Sequence, residues 1–321
     1  MRKRGIMRVR KVIFILGCTA CGKAAVGREL ARRIGGQIVS VDSMKVYRRM
    51  DIGTAKPGPE ARQEVRHHCI DVVEPSESFS VARYVEHADR AIEAITAAGD
   101  VPLAVGGTSL YIKALSEGLF EGPSGDEGIR AALRRRAERE GLASLHAELA
   151  RVDPDAAGRI HPNDAKRIFR ALEVYETSGR PISELQRQWD AGRRRYDCAF
   201  IGLRRERADL RRRINSRVRR MVDMGLRDEA AALLAEQAGL SDQAAQAVGY
   251  AEMLAHLRGE CGLDEAVERI KINTRRLARR QRTWHRRWLD TAWIDLSEDD
   301  PPPIVAERAL AIIRPPTRSD A

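Results

Sequence analysis

Apolar and polar positions alternate with two different periods over the first third of the chain. Helical spacing is seen at Val26, Leu30 and Ile34, and residues 80–98 are amphipathic. Four apolar runs between these segments are typical of buried strands and cover residues 12–16, 37–41, 69–73 and 101–105. This strand–helix rhythm over residues 11–116 predicts an α/β fold with a doubly wound parallel sheet.

The pattern changes after Gly118, where a glycine- and proline-containing linker at 122–125 begins a different region. Residues 129–189 show helical periodicity and no strand signal. We therefore predict an all-helical insert at 118–195.

The remainder of the chain predicts a return to the sheet. Residues 198–203 are apolar, and residues 204–221 hold nine arginines against two acids at spacings that favour a helix. A longer arginine-rich helix begins near Asp264. The core is thus predicted to combine 11–117 with 196–296. The prolines at 301–303 predict the end of ordered structure, with 297–321 as a loose tail.

The loop after the first apolar run has the spacing of a phosphate-binding loop. Gly17, Gly22 and Lys23 occupy the motif's positions between a strand and a helix. Backbone N–H groups, the helix N-terminus and the lysine would surround an anion. The alternative is a glycine turn that binds nothing. The predicted cradle comprises Gly17, Cys18, Thr19, Ala20, Cys21, Gly22, Lys23 and Ala24.

Two features of this loop need an explanation: the residue after Lys23 and a pair of cysteines. Ala24 stands where Ser or Thr normally offers a hydroxyl to magnesium, so one protein ligand to the metal is missing. The loop is still expected to hold a di- or triphosphate. Cys18 and Cys21 have redox-motif spacing, but we interpret them as loop filler because the loop already has a phosphate-binding rationale.

Asp42 follows the second apolar run, at the sheet edge where open α/β sheets bind ligands. A carboxylate there is a candidate general base or magnesium organiser. It is equally a candidate cap for the next turn. A second glycine turn at 106–107 leads to Thr108.

The net charge of the chain indicates the class of its partner. The chain has 321 residues, a formal net charge of +11 and a pI near 9.8. Clustered arginines favour a polyanionic partner, although a solvated basic surface is the alternative. The apolar runs are too short for a membrane span, and the five cysteines form neither a disulfide framework nor a zinc pattern. These features predict a cytoplasmic protein.

Six segments resemble, in order and spacing, the motifs of the bacterial tRNA dimethylallyltransferase family. They are GCTACGKA, DSMKVYRRMDIGTAKP, HHCIDVVEP, VGGTSLYIKAL, IHPNDAKRIFRALEV and TRRLARRQRTW. The resemblance covers about residues 11–290. It implies a P-loop-kinase-like core with a helical insert that grips the anticodon stem-loop.

The implied reaction moves a dimethylallyl group from dimethylallyl diphosphate to an adenosine. The acceptor is the exocyclic amine of the adenosine directly 3′ of the anticodon, in tRNAs that read codons beginning with U. The resemblance also implies Mg²⁺ as cofactor, nucleotide (ATP) binding at the loop, and a monomer.

The resemblance assigns roles to particular residues. Asp42, Thr108 and Lys23 match catalytic positions, and Ser43 or Thr19 would help to hold magnesium otherwise bound through diphosphate oxygens. Residues expected to contact tRNA are Asp42, Ser43, Met44, Lys45, Thr108, Arg130, Lys166, Arg167, Arg170, Arg275, Arg279, Arg280 and Gln281.

Three positions differ from the family pattern and leave other functions open. Ala24 replaces a hydroxyl residue, Lys45 replaces glutamine and Cys18 replaces proline. Ala24 and Lys45 are compatible with a tRNA-binding paralogue that has lost catalysis. A small-molecule phosphotransferase using the same loop is a further alternative, but it does not explain Asp42 or the arginine-rich helices.

Overall fold

The structure is a computed structural model, and it describes residues 11–120, 122–187, 194–286, 288 and 290–313. The chain divides into two compact units. The first combines Met1–Ser116 with Arg195–Ala321, and the second is Glu117–Arg194. The predicted insert boundaries, 118 and 195, lie one residue from this division.

The first unit is built on a six-stranded sheet whose paired strands all run parallel, in the order β3-β2-β4-β1-β5-β6. The strands are β1 Lys11–Leu16, β2 Gly36–Val41, β3 His67–His68, β4 Val101–Gly106, β5 Asp197–Arg205 and β6 Ala292–Leu296. Gly106 pairs with both Leu16 and Val41, so β1, β4 and β2 end side by side. The loops that follow them meet at one edge.

Fifteen helices lie in the described residues. They are α1 Lys23–Ile34, α2 Pro59–Glu64, α3 Val81–Ala97, α4 Ser109–Glu117, α5 Glu127–Glu140, α6 Leu142–Val152, α7 Pro154–Arg159, α8 Ala165–Ser178, α9 Ile182–Gln186, α10 Arg207–Asp223, α11 Leu226–Leu234, α12 Asp242–Ala245, α13 Tyr250–Leu257, α14 Leu263–His285 and α15 Pro302–Ile313. None of these described helices has the length and apolar content that crossing a bilayer requires.

Burial on both faces explains the continuous apolar runs of the central strands. Residues 12–16 of β1 are all buried, as a strand covered by helices on each side must be. Phe14 stacks on Phe200 of β5 with ring centroids 4.8 Å apart. On α3 and α4, Tyr84 stacks on Tyr111 at 3.9 Å. The α/β fold class predicted from the pattern is confirmed.

The predicted strand at 69–73 is wrong. The third strand is shorter and lies earlier, at His67–His68. Cys69 and Asp71 have positive φ angles of 59° and 53°, which interrupt an extended conformation. Val73 retains only an isolated bridge to Tyr47.

The predicted loose tail at 297–321 is also wrong over its described part. The prolines begin a helix rather than ending the order, because proline fits the first helical turn. Helix α15 packs against α1 and buries Val305, Ala306 and Ala309. Strand β6, inside the predicted core, was not predicted at all. Residues 314–321 lie outside the described ranges.

The second unit has a hydrophobic core of its own. Helices α5 to α9 supply it, and no strand occurs in the described residues of this unit. Leu133, Leu145, Leu149 and Ile168 are at most 1% exposed within that core. The predicted helical region ended at Trp189, which lies outside the described residues; the last helix of the unit ends at Gln186.

Candidate active site

The loop between β1 and α1 depends on its two glycines. A Cβ on Gly17 would lie 2.5 Å from Cys21 Sγ and 3.0 Å from the Leu203 carbonyl oxygen. Gly22 has a φ of +104°, which side-chain-bearing residues rarely adopt. The chain can therefore turn sharply here and bring backbone N–H groups toward a ligand.

The N-terminus of α1 is free to meet an anion. No side chain caps it, and its first turn holds no acidic residue. Unpaired N–H groups and the helix dipole favour negative charge at such a position. Lys23 folds back over the loop, and its Nζ donates to the Cys18 carbonyl at 3.1 Å.

Arginines from β5 and α10 hold the outer side of the loop. Arg205 Nε donates to the Cys21 carbonyl at 2.9 Å, and Arg213 Nε to the Ala20 carbonyl at 3.1 Å. Arg217 lies one helical turn beyond Arg213 and donates to Thr19 Oγ1 at 3.4 Å. Burial lowers the pKa of Arg217, and the Asp42 carboxylate opposes that shift. One lysine of α1 and three arginines of β5 and α10 therefore contact this loop.

Asp42 lies at the end of β2, two strands from β1, with β4 between them. One carboxylate oxygen, Oδ1, accepts the Met44 N–H at 3.0 Å, so Asp42 does cap the following turn. The half-buried carboxylate also acts electrostatically on Arg217 and Lys45. Asp42 therefore caps the following turn through Oδ1, and its role as general base or magnesium organiser stays a prediction.

Thr108 connects the turn after β4 to the Asp42 segment. Its Oγ1 accepts the Ser43 N–H at 3.1 Å, and its own N–H donates to the Val41 carbonyl at 3.2 Å. Both bonds hold the ends of β2 and β4 together. The half-buried Thr108 is therefore hydrogen-bonded to Ser43, the residue that follows the candidate base Asp42.

One large cavity opens over the phosphate loop. Its volume is about 1140 Å³. Charged residues of α1 and α10 line one part, among them Lys23, Arg213 and Arg217. Ile52 and Met221 contribute apolar surface to the same cavity.

Comparison with known proteins decides the family. The model of the IPP transferase family matches residues 45–288. A protein of Geobacter metallireducens named tRNA dimethylallyltransferase is 48% identical over 285 residues, which are 89% of this chain and 92% of that protein. One of Geobacillus thermodenitrificans with the same name is 43% identical over 316 residues, 97% of this chain and 98% of that protein. The chain belongs to the IPP transferase family.

Solved structures agree with this assignment. A tRNA isopentenylpyrophosphate transferase from Bacillus halodurans is 39% identical and has a TM-score of 0.68, covering 95% of this chain and 97% of its own. A eukaryotic dimethylallyltransferase described as acting on tRNA has a TM-score of 0.78 at 28% identity, with 94% of this chain and 78% of that chain covered. The P-loop-kinase-like core is thus confirmed for this IPP transferase.

Gln281, which the resemblance places among the tRNA contacts, is hydrogen-bonded within the protein. Its Oε1 accepts the Thr19 N–H at 2.8 Å, and its Nε2 donates to the Gly107 carbonyl at 2.9 Å. The side chain thereby ties the phosphate loop to the glycine turn that carries Thr108. A Cβ on Gly107 would lie 2.6 Å from Gln281 Nε2, which explains the glycine there.

The exposed arginines of α14 fit the expected nucleic-acid contact better. Arg279 and Arg280 are exposed, and no side-chain ion pair holds either within the described residues. Arg275 is half-buried and donates to Asn215 Oδ1 of α10 at 2.9 Å. Arg275 therefore joins the two arginine-rich helices of the transferase, whereas Arg279 and Arg280 present free charge.

Two basic residues of the second unit are used inside that unit. Glu173 is fully buried, and its carboxylate pairs with Arg130 at 2.9 Å and with Arg170 at 2.7 Å. Arg170 also donates to the Pro123 carbonyl at 2.8 Å. Sequence reasoning missed this internal role, and the tRNA contacts of Arg130 and Arg170 stay a prediction. Lys166 and Arg167 are exposed, and their tRNA contacts stay a prediction.

The side chains beside the loop do not fit a protein-bound magnesium ion. Ala24 offers a methyl group where the motif places a hydroxyl. The Thr19 hydroxyl oxygen accepts from Arg217, so a second cation there would be repelled. The Ser43 hydroxyl is paired with Thr108 at 3.5 Å. In the described ranges, no three His, Cys, Asp or Glu side chains cluster as a metal site.

The cysteine pair of the loop is closed to solvent. Cys18 is 3% exposed and Cys21 0%, and both are free thiols. A hydrogen bond with Cys18 lowers the pKa of Cys21 to about 6 despite burial. The Cys21 sulfur fills the space beside Gly17, and both cysteines are buried, in keeping with their interpretation as packing residues.

Arg205, Arg213 and Arg217 are site residues that the sequence did not mark individually. Their segment carried only the signal of an arginine-rich helix. Arg213 and Arg217 are four residues apart, so they share one face of α10. That spacing was a usable signal, but only the tertiary structure shows that this face meets the phosphate loop.

Proposed function

We propose that this transferase moves a dimethylallyl group from dimethylallyl diphosphate to tRNA. The acceptor is the exocyclic amine of the adenosine 3′-adjacent to the anticodon, in tRNAs reading codons that begin with U, and diphosphate is released. Family membership and the names of the relatives support the reaction class. The observation that carries the proposal is that β1, β4 and β2 end side by side, which brings the phosphate loop, Thr108 and Asp42 to one edge of the sheet.

The reaction forms one C–N bond and breaks one C–O bond. Negative charge grows on the departing diphosphate, where Lys23, Arg217 and the N–H groups of α1 would stabilise it. The exocyclic amine of adenine is a weak nucleophile, so it must lose a proton as the bond forms. Asp42 would accept this proton, and Thr108 would hold the Asp42 segment in place.

The cavity suits a substrate with two unlike ends. Its cationic residues match a diphosphate, and Ile52, Met221 and Met224 add apolar surface to a lining that also contains acidic side chains. A five-carbon prenyl chain needs such a surface, because burying its methylenes stabilises the complex by about 0.8 kcal/mol each. A simple phosphotransferase would have no use for the apolar part.

The acceptor must be a base taken out of its stack. An adenine inside a stacked loop cannot present its amine to Asp42, so it must be extruded toward the sheet edge where β2 and β4 end. Exposed Arg279 and Arg280 would contact the phosphate backbone around that base. The formal charge of +11 is consistent with a polyanionic partner of this size.

One assay tests the reaction directly. Purified protein is incubated with dimethylallyl diphosphate and an unmodified anticodon stem-loop, and nucleosides are analysed by mass. We expect prenylated adenosine, and none from a stem-loop with guanosine at the acceptor position. Binding of the stem-loop without any product would instead indicate a paralogue without catalysis. Consumption of ATP with a small acceptor would indicate a phosphotransferase.

The Asp42→Asn variant tests the base. Asparagine keeps an oxygen that can accept the Met44 N–H, so the turn is retained while the proton acceptor is lost. We expect kcat to fall by about 10²- to 10⁴-fold. Affinity for the stem-loop, measured by filter binding, should stay near the wild-type value. A variant that keeps most of its turnover would show that Asp42 is not the base.

ATP binding at the loop, the monomeric state and the cytoplasmic location stay predictions. Competition between ATP and dimethylallyl diphosphate, and sedimentation of the purified protein, would test the first two.

A further inference from the structure

A small recess beside the phosphate loop contains a lysine that the proposed reaction does not use. Its volume is about 90 Å³, and both Ala24 and Lys45 line it. The large cavity is also lined by Ala24, so the recess adjoins it at that residue. Both positions depart from the family pattern, and the structure brings them to one place.

The Lys45 ammonium has no hydrogen-bond acceptor or ion-pair partner among the described residues. Lys56 lines the same recess but is engaged, with its Nζ 2.6 Å from Asp51 Oδ1 and 2.7 Å from Asp71 Oδ1. The charge of the Asp42 carboxylate raises the pKa of Lys45, but no hydrogen bond or ion pair joins the two side chains in the described residues. The charge of Lys45 is therefore available to a ligand.

Lys45 carries this charge at neutral pH. Burial lowers its pKa to about 8, and nearby cations act in the same direction. The amine is nevertheless mostly protonated at pH 7. The ionisable groups around it are Asp42, Lys23, Arg28, Arg217, Lys56 and His67.

We propose that the Lys45 ammonium supplies, next to the diphosphate, the positive charge that the missing hydroxyl at Ala24 cannot recruit through a metal ion. A lysine ammonium is a compact point charge with three donors on a flexible stem. It can follow the diphosphate oxygens as their charge increases. This inference rests on the proposed use of the loop for a diphosphate.

The inference can be tested by binding alone, without turnover. Inorganic diphosphate is titrated into the full chain by calorimetry, once in EDTA and once with magnesium chloride. We expect the wild type to bind nearly as tightly in EDTA as with magnesium. Lys45→Gln, which introduces the residue usual in the family, should weaken binding in EDTA by about ten- to a hundredfold, as for loss of a charged hydrogen bond.

Two further variants separate charge from structure. Lys45→Arg keeps the charge and should retain most of the affinity in EDTA. The double variant Lys45→Gln with Ala24→Thr restores both family residues, and magnesium should then increase its affinity for diphosphate about tenfold or more. Thermal unfolding of each variant checks that the fold is kept.

Each contrary result has a separate meaning. Wild-type binding that requires magnesium, or equal affinity of wild type and Lys45→Gln in EDTA, overturns the role of Lys45 and leaves the proposed function standing. No binding of diphosphate under either condition overturns both. Loss of affinity in Lys45→Arg equal to that in Lys45→Gln shows that geometry, not charge, is responsible, and also overturns the inference.

Discussion

Gln281 lies between two turns of the candidate site and is hydrogen-bonded to both. Its amide joins Thr19 on the phosphate loop to Gly107 on the turn before Thr108. A leaving group held by one loop and a base held by another must keep a fixed separation. We therefore expect Gln281 to act as a positioning residue for the loop and the turn that it joins.

The Gln281→Glu variant tests this role. Glutamate keeps the acceptor for the Thr19 N–H but presents an oxygen to the Gly107 carbonyl, so the two turns should separate. We expect kcat to fall by about tenfold to a hundredfold, in line with a small misplacement of reacting groups. Affinity for the stem-loop should change little. A variant that loses tRNA affinity at unchanged kcat would show that Gln281 contacts tRNA instead.

At the scale of the element, α14 divides its arginines between two tasks. Arg275 is tied to Asn215 of α10, whereas Arg279 projects freely. Near the start of the same helix, Arg269 pairs with Glu265 at 2.6 Å. A charge that is already paired releases fewer counterions on binding a polyanion.

This difference predicts unequal effects of two matched substitutions. Arg279→Ala should weaken stem-loop binding and lower the slope of log K against log salt by about 0.7 to 0.9. Arg269→Ala should leave both nearly unchanged. The measurement is filter binding over a range of salt concentrations. Equal slopes for wild type and Arg279→Ala would place this arginine away from the nucleic acid.

Helix α15 shows a second element whose contribution is structural. Val305 is 1% exposed where α15 covers the core, whereas the neighbouring Ile304 is 44% exposed. Val305→Ala should destabilise the protein by about 2 kcal/mol, from two lost methyl groups and the cavity they leave. Ile304→Ala is the control and should cost far less. Urea unfolding measures both, and equal costs would contradict the packing of α15.

For the whole molecule, the free energy of unfolding depends on pH through two histidines, the buried His285 and the half-buried His67. Burial lowers the pKa of His285 from 6.5 to about 4, and that of His67 likewise to about 4. Both rings stay neutral in the fold, while the unfolded chain takes up protons below about pH 6.5. The fold is therefore fully stabilised above that pH and loses stability as the pH falls toward 4.

Between pH 7.5 and pH 5 this loss should be about 2 kcal/mol for His285 alone. Urea unfolding at the two pH values measures it. His285→Gln should reduce the pH dependence by a similar amount, whatever its effect at pH 7.5. An unchanged dependence would show that His285 does not titrate as its burial requires.

Most elements of the core follow from local periodicity. Strand β1 and the start of the long helix α14 lie within one residue of their predicted positions, and helix α1 carries the predicted helical spacing. The predictions for strand β3 and helix α15 were wrong for local reasons. Two residues with positive φ shorten the strand, and prolines that resemble a terminator begin the helix.

The sequence alone determined the chemistry of the loop and the class of partner. Glycine spacing, a lysine and clustered arginines follow from residue type and short-range order, which any fold of this chain must respect. Only the tertiary structure decided which arginines meet the loop, that Glu173 claims Arg130 and Arg170, and that Lys45 adjoins Ala24. Those pairings join residues far apart in the chain, and their energies depend on distances and burial that no local pattern contains.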